Sequence, residues 1–343
     1  MLPQYITLTN WRNFDSRQIL VPHQSAILID QNGVGKTSVL SALYSLFTGQ
    51  PFPGTKFPEF LRGNQQYFGV STEKPDWSIN GQVGPSGRLG VKRNIPEFDH
   101  RNVVLTYQPT DNYWFSLSRG QKLKILDDLL AQIYGESYGQ LLEKLEKSIK
   151  GKTNLLKYYH YSGVRPDVIL AGQLHEVSRL YSTKIWEIRQ KFFDFLEQKL
   201  SDFSGMIQTS LSNWRIKTHI KGAFSSDFSV LWERELIVGK VLFGAQRDDF
   251  WIESNHLHVE DVLSRGEMRL LVLFVKHIAI ELISDQKIQT IWLLDDVFNE
   301  LDNIREKLIF DTILSRTDYF LATGTRKPSI DVPLFSILDI TTI

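Results

Sequence analysis

The stretch Asp30-Gln-Asn-Gly33-Val-Gly35-Lys36-Thr37-Ser38 decides the class of this chain. It follows an apolar run over residues 25–30, of the length of a buried strand, and leads into the helix-forming residues 39–47. Strand, glycine loop and helix follow one another in the order that a phosphate-binding loop requires. The sequence therefore predicts a P-loop here.

The residue types of this loop suit phosphate chemistry. Gly33 and Gly35 let successive backbone N–H groups point at one anion, and Lys36 supplies a charge for the β- and γ-phosphates. Thr37 is expected to ligate Mg²⁺. A glycine-rich turn that only starts a helix is the alternative, which the Lys-Thr pair at this offset disfavours. The predicted nucleotide-binding residues of the loop are Asp30, Gln31, Asn32, Gly33, Val34, Gly35, Lys36, Thr37 and Ser38.

One position departs from the P-loop pattern, because Asp30 stands where the first glycine is usual. A carboxylate near a triphosphate repels it unless the side chain turns away or is paired. We therefore predict weaker nucleotide binding than a full motif provides. Nucleotide titration of Asp30→Gly tests this, and unchanged affinity would contradict it.

Two acids, Asp295 and Asp296, follow the apolar residues 289–294, which predict another buried strand. A P-loop needs a carboxylate at the end of a neighbouring strand, and Asp295 is placed to hold Mg²⁺ through water. Asp296 is placed to orient or activate the attacking water. Paired acids after a strand also occur at helix N-termini, but the P-loop in the same chain favours the metal site.

The motif Leu263-Ser264-Arg265-Gly266-Glu267 separates this chain from most P-loop proteins. The motif leads into an amphipathic helix over residues 268–283. Its Ser264 lies 31 positions before Asp295, where ATP-binding-cassette proteins carry their signature. Ser264, the Gly266 backbone and the helix N-terminus would form a second anion cradle. Such a cradle cannot reach the P-loop of its own chain, so we expect an ATP-dependent homodimer.

The same string occurs earlier as Leu117-Ser118-Arg119-Gly120-Gln121, and the string alone does not choose between the copies. Only the later copy closely precedes the acid-bearing strand, so we assign the signature to it. The earlier copy is interpreted as the start of a helix over residues 121–134. Gln108 follows a predicted strand, where cassette ATPases place a glutamine that senses Mg²⁺ and the attacking water, although a simple loop residue fits equally well.

Taken together, these motifs resemble the RecF family, bacterial recombination mediators related to the SMC and Rad50 ATPases. The resemblance spans residues 5 to about 325 in the order of the family. Ala245-Gln246 and Glu267, like Asp30, depart from the usual residues and indicate a divergent member. The blocks that carry the resemblance are Trp11-Arg12-Asn13-Phe14, the P-loop, Gly244-Ala-Gln-Arg247-Asp248-Asp249, the later signature copy, and Leu294-Asp295-Asp296 with Glu300-Leu301-Asp302.

The resemblance implies an α/β P-loop NTPase of the ABC and SMC-head type, split by an inserted, mainly helical lobe. It implies a mediator that dimerises on ATP, binds double-stranded, gapped or junction DNA and hydrolyses ATP slowly, with ATP and Mg²⁺ as cofactors and RecR- and RecO-type partners. Alternatives are the ATPase subunit of another transport or defence system, or an ATP-gated scaffold with little hydrolysis. The expected catalytic residues are Asp296, Lys36 and Gln108, and the expected metal-binding residues are Thr37, Asp295 and Gln108.

The 227 positions between Lys36 and Leu263 leave room for a helical insertion, but not for a long coiled coil. Helical periodicity predicts helices over residues 121–134, 138–150, 154–161, 167–197 and 199–211, and alternation predicts a strand over 214–220. The glycine- and proline-rich residues 50–63 and 80–96 are interpreted as loops or hairpin connections. The predicted lobes are 1–118 and 223–343, the two halves of the ATPase, and 119–222, the inserted arm.

Composition restricts the possible partners. The 343 residues carry 39 basic and 39 acidic side chains and no cysteine, which excludes a globally basic DNA binder and any thiolate site. The N-terminus lacks the pattern of a signal peptide and no apolar stretch reaches membrane-spanning length, so we expect a cytoplasmic protein without a membrane partner.

DNA contact must therefore come from local patches. Lys144, Lys147, Lys150 and Lys152 are opposed nearby only by Glu143 and Glu146, and we predict that these lysines contact DNA phosphates, although most charge runs are merely solvated faces. The residues Arg247, Asp248 and Asp249 have two interpretations: ion pairs that fix a junction in the fold, or a coupling of the ATP state to DNA binding.

Overall fold

The structure of the chain is a computed structural model, which describes residues 2–95, 102–207, 213–220, 227–282, 289–331 and 334–335. The chain folds into two compact units, Met1–Asn112 with Ser284–Ile343, and Tyr113–Ile283. The sequence-based boundaries assign residues 223–283 to the C-terminal half of the ATPase, whereas in the structure these residues group with the helical segment. Residues 223–283 group with the helical segment because of strand pairing: the strand over residues 215–219, which follows the long helices, hydrogen-bonds to the strand over residues 249–254.

The elements are numbered along the chain. The strands are β1 (Tyr5–Trp11), β2 (Phe14–Leu20), β3 (Ala26–Ile29), β4 (Tyr67–Thr72), β5 (Trp77–Val83), β6 (Leu89–Asn94), β7 (Asn102–Tyr107), β8 (Arg215–His219), β9 (Asp249–Ser254), β10 (Leu257–His258), β11 (Gln289–Leu294), β12 (Tyr319–Gly324) and β13 (Leu334–Phe335). The helices are α1 (Lys36–Thr48), α2 (Arg119–Tyr134), α3 (Glu136–Ser162), α4 (Val168–Met206), α5 (Phe228–Val238), α6 (Val259–Val262), α7 (Arg265–Glu281) and α8 (Asn303–Thr312).

A parallel sheet of order β13-β3-β12-β11-β7 forms the centre of the first unit. Its strands are apolar runs, as in sheets that are covered on both faces, and β12 is buried at every position. Strands β3, β7 and β11 occupy the apolar runs that the sequence predicts. Because all of them point the same way, the residues that follow each strand meet at one edge of the sheet.

An antiparallel sheet of order β2-β1-β4-β5-β6 completes the first unit. Residues 80–96, interpreted from the sequence as loops or hairpin connections, include the end of β5 and all of β6, which pair as a hairpin. Gly84 and Gly87 form the turn between the two strands, where the Gly87 amide donates to the Gly84 carbonyl at 2.9 Å. Trp11 at the end of β1 donates from Nε1 to the carbonyl of Ser38 and to Ser41 Oγ, both at 3.2 Å, and so ties this sheet to α1.

Helices dominate the second unit, with longer spans than the sequence predicts. The predicted break at residues 151–153 is absent, because α3 runs through it. Gly151 is instead a packing site, where an added Cβ would lie 3.1 Å from the Leu174 side chain of α4. Helix α4 likewise runs through the predicted break at residue 198. Residues 208–211 of the last predicted helix lie outside the described residues.

A three-stranded antiparallel sheet, β10-β9-β8, completes the second unit. Strand β8 confirms the predicted strand over residues 214–220, and it pairs with β9 from Arg215 opposite Glu253 to His219 opposite Asp249. Across the described ranges, no helix combines the length and the apolar character that a membrane crossing needs.

Candidate nucleotide-binding site

The predicted P-loop connects β3 to α1, and its two glycines adopt backbone conformations that other residues rarely take. Gly33 has a φ of 86° and Gly35 a φ of 105°. At Gly35 an added Cβ would also lie 2.5 Å from the ring of Phe14. The amide side chain of Asn13 donates to the Gly33 carbonyl at 3.1 Å, so the turn between β1 and β2 supports the loop.

Lys36 begins α1 and is buried. Its ammonium donates to the backbone carbonyls of Asp30 and Gln31 at 2.7 and 2.8 Å, so the side chain folds back over the loop. The carboxylate of Asp30 accepts the Gln31 amide at 2.7 Å and is thereby paired within the loop. A paired carboxylate repels phosphate less than a free one. The nucleotide affinity expected for Asp30→Gly stays a prediction.

The structure brings Thr37 and Asp295 together, 258 positions apart in the chain, with Thr37 Oγ1 donating to Asp295 Oδ2 at 2.8 Å. The other carboxylate oxygen, Oδ1, accepts from Thr323 Oγ1 at 2.7 Å. The Asp295 amide donates to the Tyr107 carbonyl at 2.8 Å and so holds the acid at the end of β7 as well as β11. Asp295 is 8% exposed.

These groups fit Mg²⁺, which prefers hard oxygen ligands and retains water and phosphate oxygens in its shell. Among the described residues, no group of three or more His, Asp or Glu side chains forms a metal site. Mg²⁺ would therefore rely on the hydroxyl of Thr37, the carboxylate of Asp295, and oxygens from nucleotide and water.

Asp296, the second acid, has a φ of 49°, in the left-handed region. Its backbone amide donates to Thr323 Oγ1 at 3.0 Å, and Thr323 is fully buried in β12. Sequence reasoning assigned no role to Thr323. The available signal was a hydroxyl residue at the end of an otherwise apolar strand, beside the strand that carries the acids.

Two further residues lie in this unit. Gln108 follows β7 as predicted, and its side-chain amide donates to the Pro53 carbonyl at 2.9 Å. Arg12 is half-buried, with its guanidinium 4.9 Å from the centre of the Phe60 ring. Burial lowers the pKa of Arg12, while the charges of Glu59 and Asp295 act in the opposite direction. Arg12 therefore interacts electrostatically with the acid that is proposed to bind the metal.

Comparison with known proteins finds relatives over most of the chain. No model of a protein family matches the chain. DNA replication and repair protein RecF of Geobacillus thermodenitrificans (strain NG80-2) is 26% identical over 342 residues, which cover 93% of this chain and 91% of that protein. The protein of the same name from Lactococcus lactis subsp. lactis (strain IL1403) is 26% identical over 333 residues, with 93% and 92% covered. The chain is similar to RecF proteins over nearly their whole length, at an identity that fits a divergent relative.

Solved structures of RecF share the fold of this chain. The recombination mediator protein RecF-ATP of the RecFOR pathway matches with a TM-score of 0.80 at 22% identity, covering 99% of this chain and 96% of that one. The RecF-ATPrS structure matches with a TM-score of 0.77 at 21% identity, covering 98% and 96%. The predicted fold class is confirmed: an α/β P-loop NTPase of the ABC and SMC-head type, with an inserted helical lobe.

The predicted signature lies in the second unit, where Ser264 is the N-cap of α7. The Glu267 amide donates to Ser264 Oγ at 3.3 Å, and the Ser264 amide donates to Glu267 Oε2 at 2.8 Å. Glu267 therefore completes a capping box and places a negative charge at the helix N-terminus. The earlier copy behaves similarly, with Ser118 and Gln121 in a capping box at the start of α2. Local geometry does not distinguish the two copies.

The Arg-Asp-Asp block over residues 247–249 belongs to an ion-pair network inside the second unit. The buried guanidinium of Arg189 in α4 contacts Asp248 at 3.1 Å and Asp127 of α2 at 2.7 Å. Asp249 pairs with Lys122 of α2 at 2.9 Å. These contacts join β9 to α2 and α4, which favours the interpretation of Asp248 and Asp249 as residues that fix a junction in the fold.

The predicted DNA-contacting lysines differ in exposure. Lys144, Lys147 and Lys150 are exposed on α3, and Lys147 pairs with Glu143 one turn away at 2.5 Å. Lys152 is fully buried, and its ammonium lies 2.6 Å from Glu235 of α5. Lys152 is therefore removed from the predicted set, because a buried, paired ammonium cannot reach a DNA phosphate. Sequence alone did not identify Glu235 as its partner, 83 positions later in the chain.

Proposed function

We propose that this chain is an ATP-dependent, DNA-binding mediator of recombination and repair. The observation that carries the proposal is the contact of the P-loop Thr37 with Asp295 at 2.8 Å, which assembles an oxygen site for Mg²⁺ beside the phosphate loop. Its relatives are named DNA replication and repair proteins, and its fold matches that of a recombination mediator solved as RecF-ATP. RecR- and RecO-type proteins are the proposed partners.

In the proposed site, the loop amides and Lys36 hold the β- and γ-phosphates of ATP, and Thr37 and Asp295 hold Mg²⁺. Bound Mg²⁺ stabilises charge that develops on the phosphate oxygens. The loop carbonyls of Asp30 and Gln31 already position the Lys36 ammonium, so little reorganisation is needed on binding.

Asp296 is the proposed base for hydrolysis. The water oxygen forms a bond to the γ-phosphorus while the bond from that phosphorus to the oxygen retained by ADP breaks, and Asp296 accepts the water proton. Its backbone is held by the hydrogen bond to Thr323. An aspartate is shorter than the glutamate common in transporter cassettes, which fits a slow ATPase that times an event. Gln108 is the proposed sensor of Mg²⁺ and the attacking water.

ATP-dependent pairing of two protomers would bring Ser264 and Gly266 of one chain to the nucleotide of the other. The backbone amides at the N-terminus of α7 provide donors for this contact. The exposed Ser264 hydroxyl donates to Glu267 Oε2 at 2.7 Å in this chain, and it would turn from that carboxylate to the nucleotide. DNA is proposed to contact Lys144, Lys147 and Lys150 on α3, mainly through its phosphates.

Sedimentation velocity with and without ATP and Mg²⁺ tests the proposal. We expect a dimer only with nucleotide, and release of phosphate that the Asp296→Asn variant abolishes while its dimer persists. Loss of both dimer and turnover in Asp296→Asn would contradict the role of Asp296. ATP binding and dimer formation without measurable phosphate release would favour an ATP-gated scaffold.

The DNA contacts are tested separately, by the salt dependence of duplex and gapped DNA affinity in the presence of ATP. Neutralising Lys147 by Lys147→Ala is expected to weaken binding and to reduce the logarithmic salt slope by about 1. An affinity that does not change between low and moderate salt would exclude phosphate-dominated binding.

A further inference from the structure

The hydroxyl of Thr323 contacts both adjacent acids. It donates to Asp295 Oδ1 at 2.7 Å and accepts the Asp296 amide at 3.0 Å, and the residue is fully buried at the end of β12. The donor and an acceptor site of one hydroxyl are therefore both committed to the pair of acids.

For Asp295, this contact determines how the carboxylate is oriented. The torsion that rotates an aspartate carboxylate is broad, so one hydrogen bond leaves it poorly defined. Here the two oxygens have different partners, Thr323 on Oδ1 and Thr37 on Oδ2. With Oδ1 held from β12, Oδ2 is directed at the P-loop hydroxyl, where the proposed metal ion would be shared.

For Asp296, the same hydroxyl holds the backbone. A φ of 49° is uncommon for a residue other than glycine and persists where surrounding contacts support it. The hydrogen bond from the Asp296 amide to Thr323 is such a contact. Loss of the hydroxyl would leave both the direction of the metal-binding carboxylate and the position of the proposed base less defined.

We propose that Thr323 is a positioning residue for metal-dependent ATP binding, because its hydroxyl sets the orientation of Asp295 and the backbone of Asp296. The inference rests on the proposed function, since it concerns the same nucleotide site. Thr323 acts through the acids and is not expected to touch the nucleotide.

Thr323→Val tests the proposal, because valine keeps the shape and strand preference of threonine but lacks the hydroxyl. The affinity for a fluorescent ATP analogue is measured by anisotropy, once with Mg²⁺ and once with EDTA. Loss of a hydrogen bond to a charged group predicts an affinity with Mg²⁺ that falls about tenfold or more, with the EDTA affinity unchanged. Thr323→Ser, which retains the hydroxyl, should keep the affinity of the parent.

Thr290→Val is the matched control. Thr290 is a buried threonine at the opposite end of the neighbouring strand β11, and the same substitution there should leave both affinities unchanged. If Thr323→Val does not fold, the comparison of Thr323→Ala with Thr323→Ser isolates the hydroxyl, because both variants lack the methyl group. The alanine variant should then show the loss of Mg²⁺-dependent affinity and the serine variant should not.

Two outcomes would overturn this inference but not the proposed function. The first is a Thr323→Val variant whose affinity for the analogue with Mg²⁺ equals that of the parent. The second is a Thr323→Ser variant whose affinity falls as much as that of Thr323→Val, which would assign the effect to the methyl group. A parent protein that binds the analogue equally with Mg²⁺ and EDTA would overturn the metal site, and this inference with it. A parent that binds no analogue would overturn the proposed function itself.

Discussion

Replacing Lys152 by methionine separates the buried lysine from its exposed neighbours on α3. Lys152 and Glu235 are both 0% exposed, and their charged atoms lie 2.6 Å apart without the alignment of a good hydrogen bond. Glu235 Oε1 also accepts the Leu242 amide at 2.7 Å. Burial lowers the pKa of Lys152, and the charge of Glu235 opposes this shift.

The expected magnitude follows from the burial of the pair. At 2.6 Å the attraction is about 6 kcal/mol at an effective dielectric constant near 20, and the desolvation of two ions offsets much of it. Removing only the lysine leaves the Glu235 carboxylate buried and uncompensated. We therefore expect Lys152→Met to lower the free energy of unfolding by about 3–5 kcal/mol.

Equilibrium urea unfolding, followed by circular dichroism, measures this loss. Lys147→Met is the matched control, because Lys147 lies on the same helix and its pair with Glu143 is exposed, at 73% and 59%. The control should leave the unfolding transition unchanged. The double variant Lys152→Met/Glu235→Leu should be more stable than the sum of the single losses predicts, by at least about 2 kcal/mol, because it leaves no buried charge alone.

The two lysines should also differ in DNA binding. Lys147→Met should weaken DNA binding without loss of stability, whereas folded Lys152→Met should bind DNA like the parent. An unfolding transition of Lys152→Met that matches that of Lys147→Met, or a DNA affinity that falls as in Lys147→Met, would refute the buried-pair reasoning.

Three other substitutions test single features. Gly35→Ala should destabilise the first unit by more than about 1 kcal/mol and reduce ATP binding, because the φ of Gly35 is 105° and the added methyl group would meet the Phe14 ring. Urea unfolding and ATP titration curves that match those of the parent would refute this. Arg189→Met should cost about 3–5 kcal/mol in urea unfolding, because it removes the guanidinium that pairs with buried Asp248 and half-buried Asp127, whereas the exposed Arg179→Met should have no effect. Burial, and secondarily Lys152, lowers the pKa of His175 to about 4, with Glu176 opposing and Arg179 adding a small effect. The unfolded chain therefore binds a proton first, and stability should fall by about 2 kcal/mol from pH 7 to pH 5; a similar fall in His175→Leu would contradict this.

The P-loop and the two acids were predictable from the sequence because their chemistry depends on residue type at short spacing. Two glycines with positive φ, a lysine at the start of α1 and acids directly after β11 lie where the motifs place them. The central strands were predictable for a related reason, since a strand buried on both faces must be apolar throughout.

Helix continuity was less predictable. Gly151 interrupts the helical pattern of the sequence, but in the structure it allows Leu174 of α4 to approach α3 closely. The hydrophobic periodicity of one segment carries no information about the neighbouring helix against which that segment packs. A glycine that is needed for close helix packing is therefore interpreted from sequence as the end of a helix.

The sequence by itself determined the loop, the acids, the order of the motifs and the family they resemble, because these depend on local pattern. Only the tertiary structure decided the partners: Thr323 for both acids, Glu235 for Lys152, and Arg189 for Asp248. In each case the effect of a charged or polar group depends on burial and on a partner far away in the chain. A lysine on an exposed helix face is free to meet a DNA phosphate, whereas a lysine in a core needs an acidic partner, and only the tertiary structure distinguishes the two.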